Sequence, residues 1–159
     1  MNDHAGRFCE ADTGAPCSRG ETSGPMGVAG RCVITRADRI LLVQRAAGSF
    51  DAGLWELPGG KSNYGEGLGQ AVEREVAEET GLRVEIGRPF VVWHLTREPY
   101  WVTGVTFLCE RWSGEVVLSR EHDDFSWLTL PAAQDLPLAT TVIDQLEAYA
   151  ALLKTGEGR

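Results

Sequence analysis

The segment from Leu68 to Thr80 carries glutamates at spacings that would gather carboxylates on one helix. Its composition is typical of a helix, and the glycine that follows, Gly81, is a good C-terminal stop signal. Glu75, Glu78 and Glu79 stand at positions i, i+3 and i+4, so on a helix their side chains should converge near one end. Three converging carboxylates supply the hard oxygen ligands that Mg²⁺ or Mn²⁺ prefers.

Two of these carboxylates fall where a packing helix should be apolar. On a wheel of about 3.6 residues per turn, Leu68, Ala71 and Val72 mark the apolar side, and Glu75 and Glu79 lie within it. The opposite, water-facing side has three members: Gln70, Glu73 and Ala77. A solvated acidic face is the ordinary interpretation of a charge run, but here other residues already occupy the solvent face. Because a buried, unpaired carboxylate is costly, the pattern favours a bound cation.

A glycine-rich turn precedes this helix. Leu57 and Pro58 are followed by Gly59, Gly60 and Lys61. Glycines let a ligand approach the backbone closely, and a lysine can offer positive charge to a phosphate. Such a turn alone is usually only a turn. Next to an acidic helix, it predicts a cradle for a metal ion and a phosphate.

Nine residues of this region share the spacing of a known signature. They are Gly60, Glu66, Arg74, Glu75, Val76, Glu78, Glu79, Gly81 and Leu82. The pattern resembles a complete Nudix box of the Nudix hydrolase family (MutT-like), with every defining position matched. The strand layout extends the resemblance over roughly residues 26–154.

The resemblance implies an α/β fold, the Nudix-type α/β/α sandwich with a mixed β-sheet between helices. It also implies hydrolysis of a diphosphate linkage in a nucleoside diphosphate joined to a further group, with Mg²⁺ as cofactor and Mn²⁺ as a substitute. By position, the metal ligands would be Glu75, Glu78, Glu79 and the carbonyl of Gly59. Arg74 and Glu66 would form the salt bridges that hold these carboxylates.

The residue that takes a proton from the attacking water is left open by the resemblance. A metal-bound glutamate of the helix, Glu75 or Glu79, is favoured. Many family members also use an acidic residue from a later loop, where Glu121, Asp123 and Asp124 lie. These three are equally well interpreted as surface charges.

The substrate expected first is a nucleoside triphosphate, including an oxidised one such as 8-oxo-dGTP, cut to a monophosphate and pyrophosphate. Tyr100 lies near a tyrosine found in relatives that cleave dinucleoside polyphosphates, and Pro99 near a proline of ADP-ribose and nucleotide-sugar hydrolases. Lys61, Trp93 and Tyr100 are the candidate substrate contacts. A ligand sensor without turnover is the alternative of another class, but such relatives usually lack a metal-binding glutamate of the box.

Several aromatic residues could stack on a base, although most aromatics in strands belong to the core. They are Trp93, Tyr100, Trp101 and Trp127. A lone histidine in a strand, His94, is more often structural.

Composition limits the remaining possibilities. The 159 residues fit one domain, residues 26–159, after a disordered polar tail, residues 1–25. A net charge of −8 argues against a nucleic acid polymer as partner. No apolar run suits a membrane span or a secretory signal, so a cytoplasmic location is expected. Many family relatives dimerise, which makes a homodimer an option.

The four cysteines form no C-x-x-C pair, which argues against a zinc ribbon. Cys32 and Cys109 lie in strand-like runs and are expected to be small buried apolar residues. Cys9 and Cys17 lie in the tail, either paired or free.

The elements that must position these residues follow from periodicity. Strands are expected at residues 28–35, 40–45, 55–57, 82–86, 90–95, 101–111, 115–118 and 125–130, with a turn at 36–39 and a loop at 46–53. A second helix, Thr140–Lys154, should bury one apolar side. That side consists of Val142, Ile143, Leu146, Tyr149, Ala150 and Leu153.

Overall fold

A computed structural model of the chain describes residues 26–97 and 100–156. The expected tail with Cys9 and Cys17 lies outside the described residues, as does Pro99. The strands are β1 (Met26–Val33), β2 (Thr35–Arg36), β3 (Arg39–Arg45), β4 (Trp55–Glu56), β5 (Gly59–Lys61), β6 (Arg83–Arg97), β7 (Tyr100–Ser113) and β8 (His122–Thr129). The helices are α1 (Leu68–Thr80), α2 (Leu130–Gln134) and α3 (Thr140–Lys154). Within these ranges, no helix is long and apolar enough to cross a membrane.

The strands form two sheets. The first has the order β5-β1-β7-β6, in which β1 runs parallel to β7 and the other pairs are antiparallel. The second joins β2, β3 and β4, with β8 paired to the other edge of β3. The first sheet is therefore mixed, as expected, whereas all pairs of the second sheet are antiparallel.

Alternation along two strands sends side chains into two separate cores. Cys32 and Ile34 lie in one hydrophobic cluster with apolar residues of α1, whereas Val33 between them lies in another with residues of α3. On β3, Leu41 joins the α1 cluster, and its neighbours Ile40 and Leu42 join the α3 cluster. Because successive strand residues point to opposite faces, helices cover both sides. This arrangement confirms the predicted α/β/α sandwich.

Both long helices have the predicted bounds, but the buried side of α3 differs from the prediction. Ile143 and Leu153 are 46% and 41% exposed, whereas Thr141 and Gln145 are buried. The buried row follows Val142, which with positions 145, 146 and 149 gives the i, i+3, i+4, i+7 spacing of one helix face. Residue type alone put Ile143 on that face, although it stands about 100° away from Val142.

The segments around the site contain three further corrections. Residues 82–86 and 90–95 belong to one strand, β6, whose register shifts near Ile86 and Pro89. Residues 115–118 are not a strand, because the backbone N–H of Val117 donates to the carbonyl of Thr80 at the end of α1 (2.8 Å). Leu130, expected at the end of a strand, begins the short helix α2.

Candidate functional site

Glu79 reaches from α1 to the glycine pair, Gly59 and Gly60. These two residues belong to strand β5 rather than to a plain turn. The backbone N–H of Gly59 donates to Oε2 of Glu79 (2.8 Å), and only 4% of Glu79 is exposed. Burial raises the pKa of Glu79 to about 7, although the Gly59 hydrogen bond acts in the opposite direction. Gly59 has φ 133°, and a Cβ there would lie 2.3 Å from the carbonyl oxygen of Gly30. Only glycine fits this position without strain.

Glu75 contacts the second glycine of the pair. A Cβ on Gly60 would lie 2.6 Å from the Glu75 carboxyl group, so the missing side chain leaves room for that carboxylate. Glu75 and Glu79 therefore approach two consecutive residues of β5. The helical wheel is confirmed, since Glu79 is buried and Glu75 half-buried, while the predicted water-facing residues are exposed.

Arg74 collects three carboxylates around one guanidinium group. Its Nε and Nη2 donate to both oxygens of Glu66 (2.8 and 2.9 Å), and its Nη1 pairs with Glu75 (2.8 Å) and Glu78 (3.2 Å). Nη2 also donates to the carbonyl of Lys61 (3.1 Å). Hydrogen bonds from Arg74 hold the pKa of Glu66 at about 2. These contacts tie the helix to the turn that precedes it.

The three helix carboxylates point in two directions. Glu75 and Glu78 turn toward Arg74, whereas Glu79 turns toward Gly59. In the part of the chain that the structure describes, no three His, Cys, Asp or Glu side chains are gathered closely enough to hold a metal ion. The expected convergence is absent because an arginine on the same helix competes for two of the carboxylates.

The donor set nevertheless suits a hard divalent cation. Among the described residues, the buried Glu79 carboxylate accepts a backbone N–H and lies 3.9 Å from His122, but it forms no salt bridge with a lysine or arginine, although the charge of Arg31 acts on it. Glu75, half-buried beside Gly60, offers further oxygens next to the same strand. Burial opposes the ionisation of Glu79. A bound cation would neutralise the carboxylate and favour its ionised form.

A buried charge network, which the sequence did not reveal, lies beside Glu79. Glu56 is 3% exposed and pairs with Arg31 (2.6 Å) and Arg45 (2.8 Å). The ring of His122 is fully buried, with Nε2 3.3 Å from Glu56 and 3.9 Å from Glu79. Burial opposes ionisation of Glu56, but Arg31, His122 and Arg45 outweigh it and hold its pKa well below the usual range. The sequence offered one clue to this network, the charged residue Glu56 inside the short apolar stretch 55–57.

One cavity of about 390 Å³ lies next to these groups, and Glu56, Glu78, Glu79 and His122 are not among its lining residues. Its polar lining consists of Gly59, Gly60, Lys61, Arg31, Arg45 and three carboxylates, those of Asp51, Glu75 and Glu121. An apolar wall follows, made of Trp93, Leu95 and Val102, and the start of α3 closes the far side with Ala139, Thr140 and Thr141. The volume lies in the range of small-molecule sites.

Trp93 lines the cavity and packs against Gly104 of the neighbouring strand β7. Its indole N–H donates to Oγ1 of Thr106 (3.1 Å), and a Cβ on Gly104 would lie 2.1 Å from its ring. The guanidinium carbon of Arg31 lies 5.6 Å from the ring centroid. Trp93 is thus both a core residue and part of the cavity wall. Tyr100 is 57% exposed and is not among the residues that line the cavity.

The three acidic residues left open by the sequence have different surroundings. Glu121 lines the cavity. Asp123 accepts a hydrogen bond from the backbone N–H of Ala47 (2.8 Å), and Asp124 accepts one from that of Phe125 (2.8 Å). The structure therefore brings only Glu121 of these three to the cavity.

The sequence also matches a protein family and several known proteins. The NUDIX domain model matches residues 25–152. The CTP pyrophosphohydrolase of Escherichia coli (strain K12) is 37% identical over 124 residues, covering 76% of this chain and 88% of that protein. The 8-oxo-dGTP diphosphatase of the same strain is 34% identical over 104 residues, covering 64% and 80%.

Two solved structures have the same fold. The solution structure of the E. coli ORF135 protein matches with a TM-score of 0.75 and 31% identity, covering 84% of this chain and 94% of that one. The MutT protein from Methanosarcina mazei Go1 matches with a TM-score of 0.76 and 30% identity, covering 83% and 98%.

Proposed function

Since the chain belongs to the Nudix family, we propose that it is a Mg²⁺-dependent hydrolase of nucleoside triphosphates that releases a monophosphate and pyrophosphate. The observation that carries the proposal is one cavity in which Glu75 and the glycine pair lie close to cationic side chains and an aromatic wall. Relatives named for CTP and for 8-oxo-dGTP support a nucleoside triphosphate, canonical or oxidised.

Four groups are proposed to hold the metal: the carboxylates of Glu75, Glu78 and Glu79 and the carbonyl of Gly59. When bound, Mg²⁺ supplies positive charge to the diphosphate oxygens and acidifies a water molecule, and Mn²⁺ can take its place. Arg74 and Glu66 act as positioning residues, since their ion pair orients the guanidinium group that donates a hydrogen bond to the carbonyl of Lys61 in β5.

Lys61, Arg31 and Arg45 line the polar part of the cavity and would face the phosphates. Glu56 neutralises one of the two arginine charges, so the pair keeps net positive charge while its guanidinium groups are held in place. The indole of Trp93 offers an apolar face to a base.

Three carboxylates are candidates to accept the proton of the attacking water: Glu75, Glu79 and Glu121. A base must lie within hydrogen-bond reach of that water. Glu75 and Glu121 both line the cavity, and Glu79 is buried directly behind the glycine strand. We rank Glu121 beside the helix glutamates because the other two acidic residues of its loop are engaged with backbone N–H groups.

The two alternative substrate classes receive no support from the structure. Tyr100, the residue that suggested dinucleoside polyphosphates, does not line the cavity. Pro99, which suggested ADP-ribose or a nucleotide sugar, lies outside the described residues.

The test is product release from canonical and oxidised nucleoside triphosphates, ADP-ribose, nucleotide sugars and dinucleoside polyphosphates, with Mg²⁺ and with a chelator. We expect turnover of a triphosphate that a chelator and Glu79→Gln both abolish. The matched control is Glu73→Gln, an exposed glutamate on the opposite side of α1, which should keep the activity. Metal binding without turnover of any compound would contradict the proposal and favour a ligand sensor.

A further inference from the structure

Two cysteines that the proposed hydrolysis does not use lie on neighbouring strands beneath α1. Cys32 on β1 is fully buried, and Cys109 on β7 is half-buried. In the parallel β1–β7 pair, Cys32 lies opposite Phe107, so Cys109 is two residues further along and points to the same face. Both side chains belong to the hydrophobic cluster of α1.

The two thiols differ in exposure and in pKa. The proximity of the two thiols lowers the pKa of Cys109 and raises that of Cys32, and burial raises the pKa of Cys32 further. The protonated thiol of Cys109 donates a hydrogen bond to the carbonyl oxygen of Arg111 (3.1 Å). Because the thiolate is the nucleophile and Cys109 reaches the surface, Cys109 is the residue that an oxidant meets first.

A bond between these sulfurs requires the backbone of one strand to shift. With strands ~4.8 Å apart and a rise of ~3.3 Å per residue, the Cα atoms of diagonal neighbours lie roughly 8 Å apart, whereas a disulfide usually joins Cα atoms about 4.4–6.8 Å apart. Closing the bond therefore needs a small shift. Cys109 pairs with Ile86, where the register of β6 is irregular on both sides, and such irregular pairing lets a strand bend. A bond made under strain is also easily reduced.

A shift at Cys32 would reach the candidate site. The backbone N–H of Cys32 donates to the carbonyl of Pro58 (3.0 Å), and the preceding residue, Arg31, pairs with Gly59. Gly59 in turn holds the buried carboxylate of Glu79. Cys32 is thus one strand residue away from the backbone that positions this carboxylate.

We propose that Cys109 and Cys32 are an oxidation site, at which a hydroperoxide converts the two thiols into a disulfide between β1 and β7 and lowers the activity of the cavity. The Cys109 thiolate attacks the peroxide oxygen and forms a sulfenic acid, and the second peroxide oxygen leaves as an alcohol or as water. The Cys32 sulfur then attacks the Cys109 sulfur, and water leaves. The two thiols lose two electrons and two protons, and the hydroperoxide is reduced.

The experiment uses the full chain with Cys9→Ser and Cys17→Ser, so that only the two strand cysteines remain. The protein is treated with hydrogen peroxide, and intact mass and a non-reducing peptide map are recorded. We expect the loss of two hydrogen atoms and a cross-linked peptide containing Cys32 and Cys109. This readout needs no substrate, so it is independent of the proposed nucleotide activity.

Matched variants test the order of events and the link to the site. Cys32→Ala should leave a Cys109 sulfenic acid that dimedone traps, and Cys109→Ser should form neither product. Hydrolysis by the cross-linked protein should fall about tenfold and return with dithiothreitol, since a shift of ~1 Å can cost ~100-fold in rate. Absence of the cross-link would overturn the oxidation site. If the cross-linked protein hydrolyses substrate at an unchanged rate, the proposed effect on activity is wrong. It is also wrong if peroxide treatment lowers the activity of Cys109→Ser equally.

Discussion

Replacing Glu79 by glutamine should make the metal-free protein more stable at alkaline pH while removing its activity. The pKa of Glu79 rises from 4.5 to about 7 because the carboxyl group is buried. At about 1.36 kcal/mol for each unit of pKa, folding penalises the ionised carboxylate by roughly 3 kcal/mol. Glutamine has the same shape, can accept the Gly59 hydrogen bond and carries no charge.

The sign of the effect follows from proton binding. Between pH 4.5 and about 7, the folded chain keeps the Glu79 proton that the unfolded chain has lost, so wild-type stability falls as the pH rises. The glutamine variant lacks this loss. Its stability relative to wild type should therefore increase by about 2–3 kcal/mol from pH 5 to pH 8.

The assay is urea unfolding of both proteins at pH 5 and pH 8 in a chelator, followed by the same titration with Mg²⁺. Mg²⁺ should stabilise the wild type and leave Glu79→Gln unchanged, because a ligand stabilises only the state that binds it. Glu73→Gln, on the exposed side of α1, should show no such pH-dependent gain. A stability difference that is the same at both pH values would refute the reasoning.

Two further substitutions test the surroundings of the site by urea unfolding. Gly59→Ala should destabilise the fold by about 3 kcal/mol or more, because its Cβ would lie 2.3 Å from a backbone oxygen, whereas Gly65→Ala, with φ 80° and open space, should cost only about 1–2 kcal/mol. Equal losses would contradict the steric argument. Glu56→Gln should cost about 3–5 kcal/mol by leaving two partly buried arginines without their carboxylate, whereas the exposed ion pair lost in Glu85→Gln should cost less than about 1 kcal/mol. Similar values for these two would show that the buried network adds nothing.

Features that repeat along the chain could be predicted from the sequence. Helix periodicity correctly placed Glu79 on the buried side of α1, and Gly81 correctly marked its end, where it adopts φ 72°. These properties depend only on neighbours within a turn or two. The direction of each carboxylate depends on competition, and Arg74 takes two of them away from the expected cluster.

Features that depend on the order of the strands in the sheets were missed, because residues far apart in sequence determine them. Glu56 sits in an apolar stretch, but its partners come from β1, β3 and β8, which only the folded sheets bring together. Gln145 is fully buried on α3 although its type predicts exposure. The sequence correctly predicted strands at β1 and β3. It did not reveal that alternate residues of each strand pack into two different hydrophobic clusters.

The connection between β7 and β8 works as a spacer of fixed length. It satisfies the last carbonyls of α1 through the N–H groups of Val117 and Ser119, and two residues later Glu121 reaches the cavity. Surface loops generally tolerate insertions, but this one is anchored at both of those points. One residue added between these two points would displace the Glu121 carboxylate by up to about 3.5 Å. A shift of that size breaks a hydrogen bond. The position of Glu121 therefore depends more on the length of this segment than on the types of its side chains.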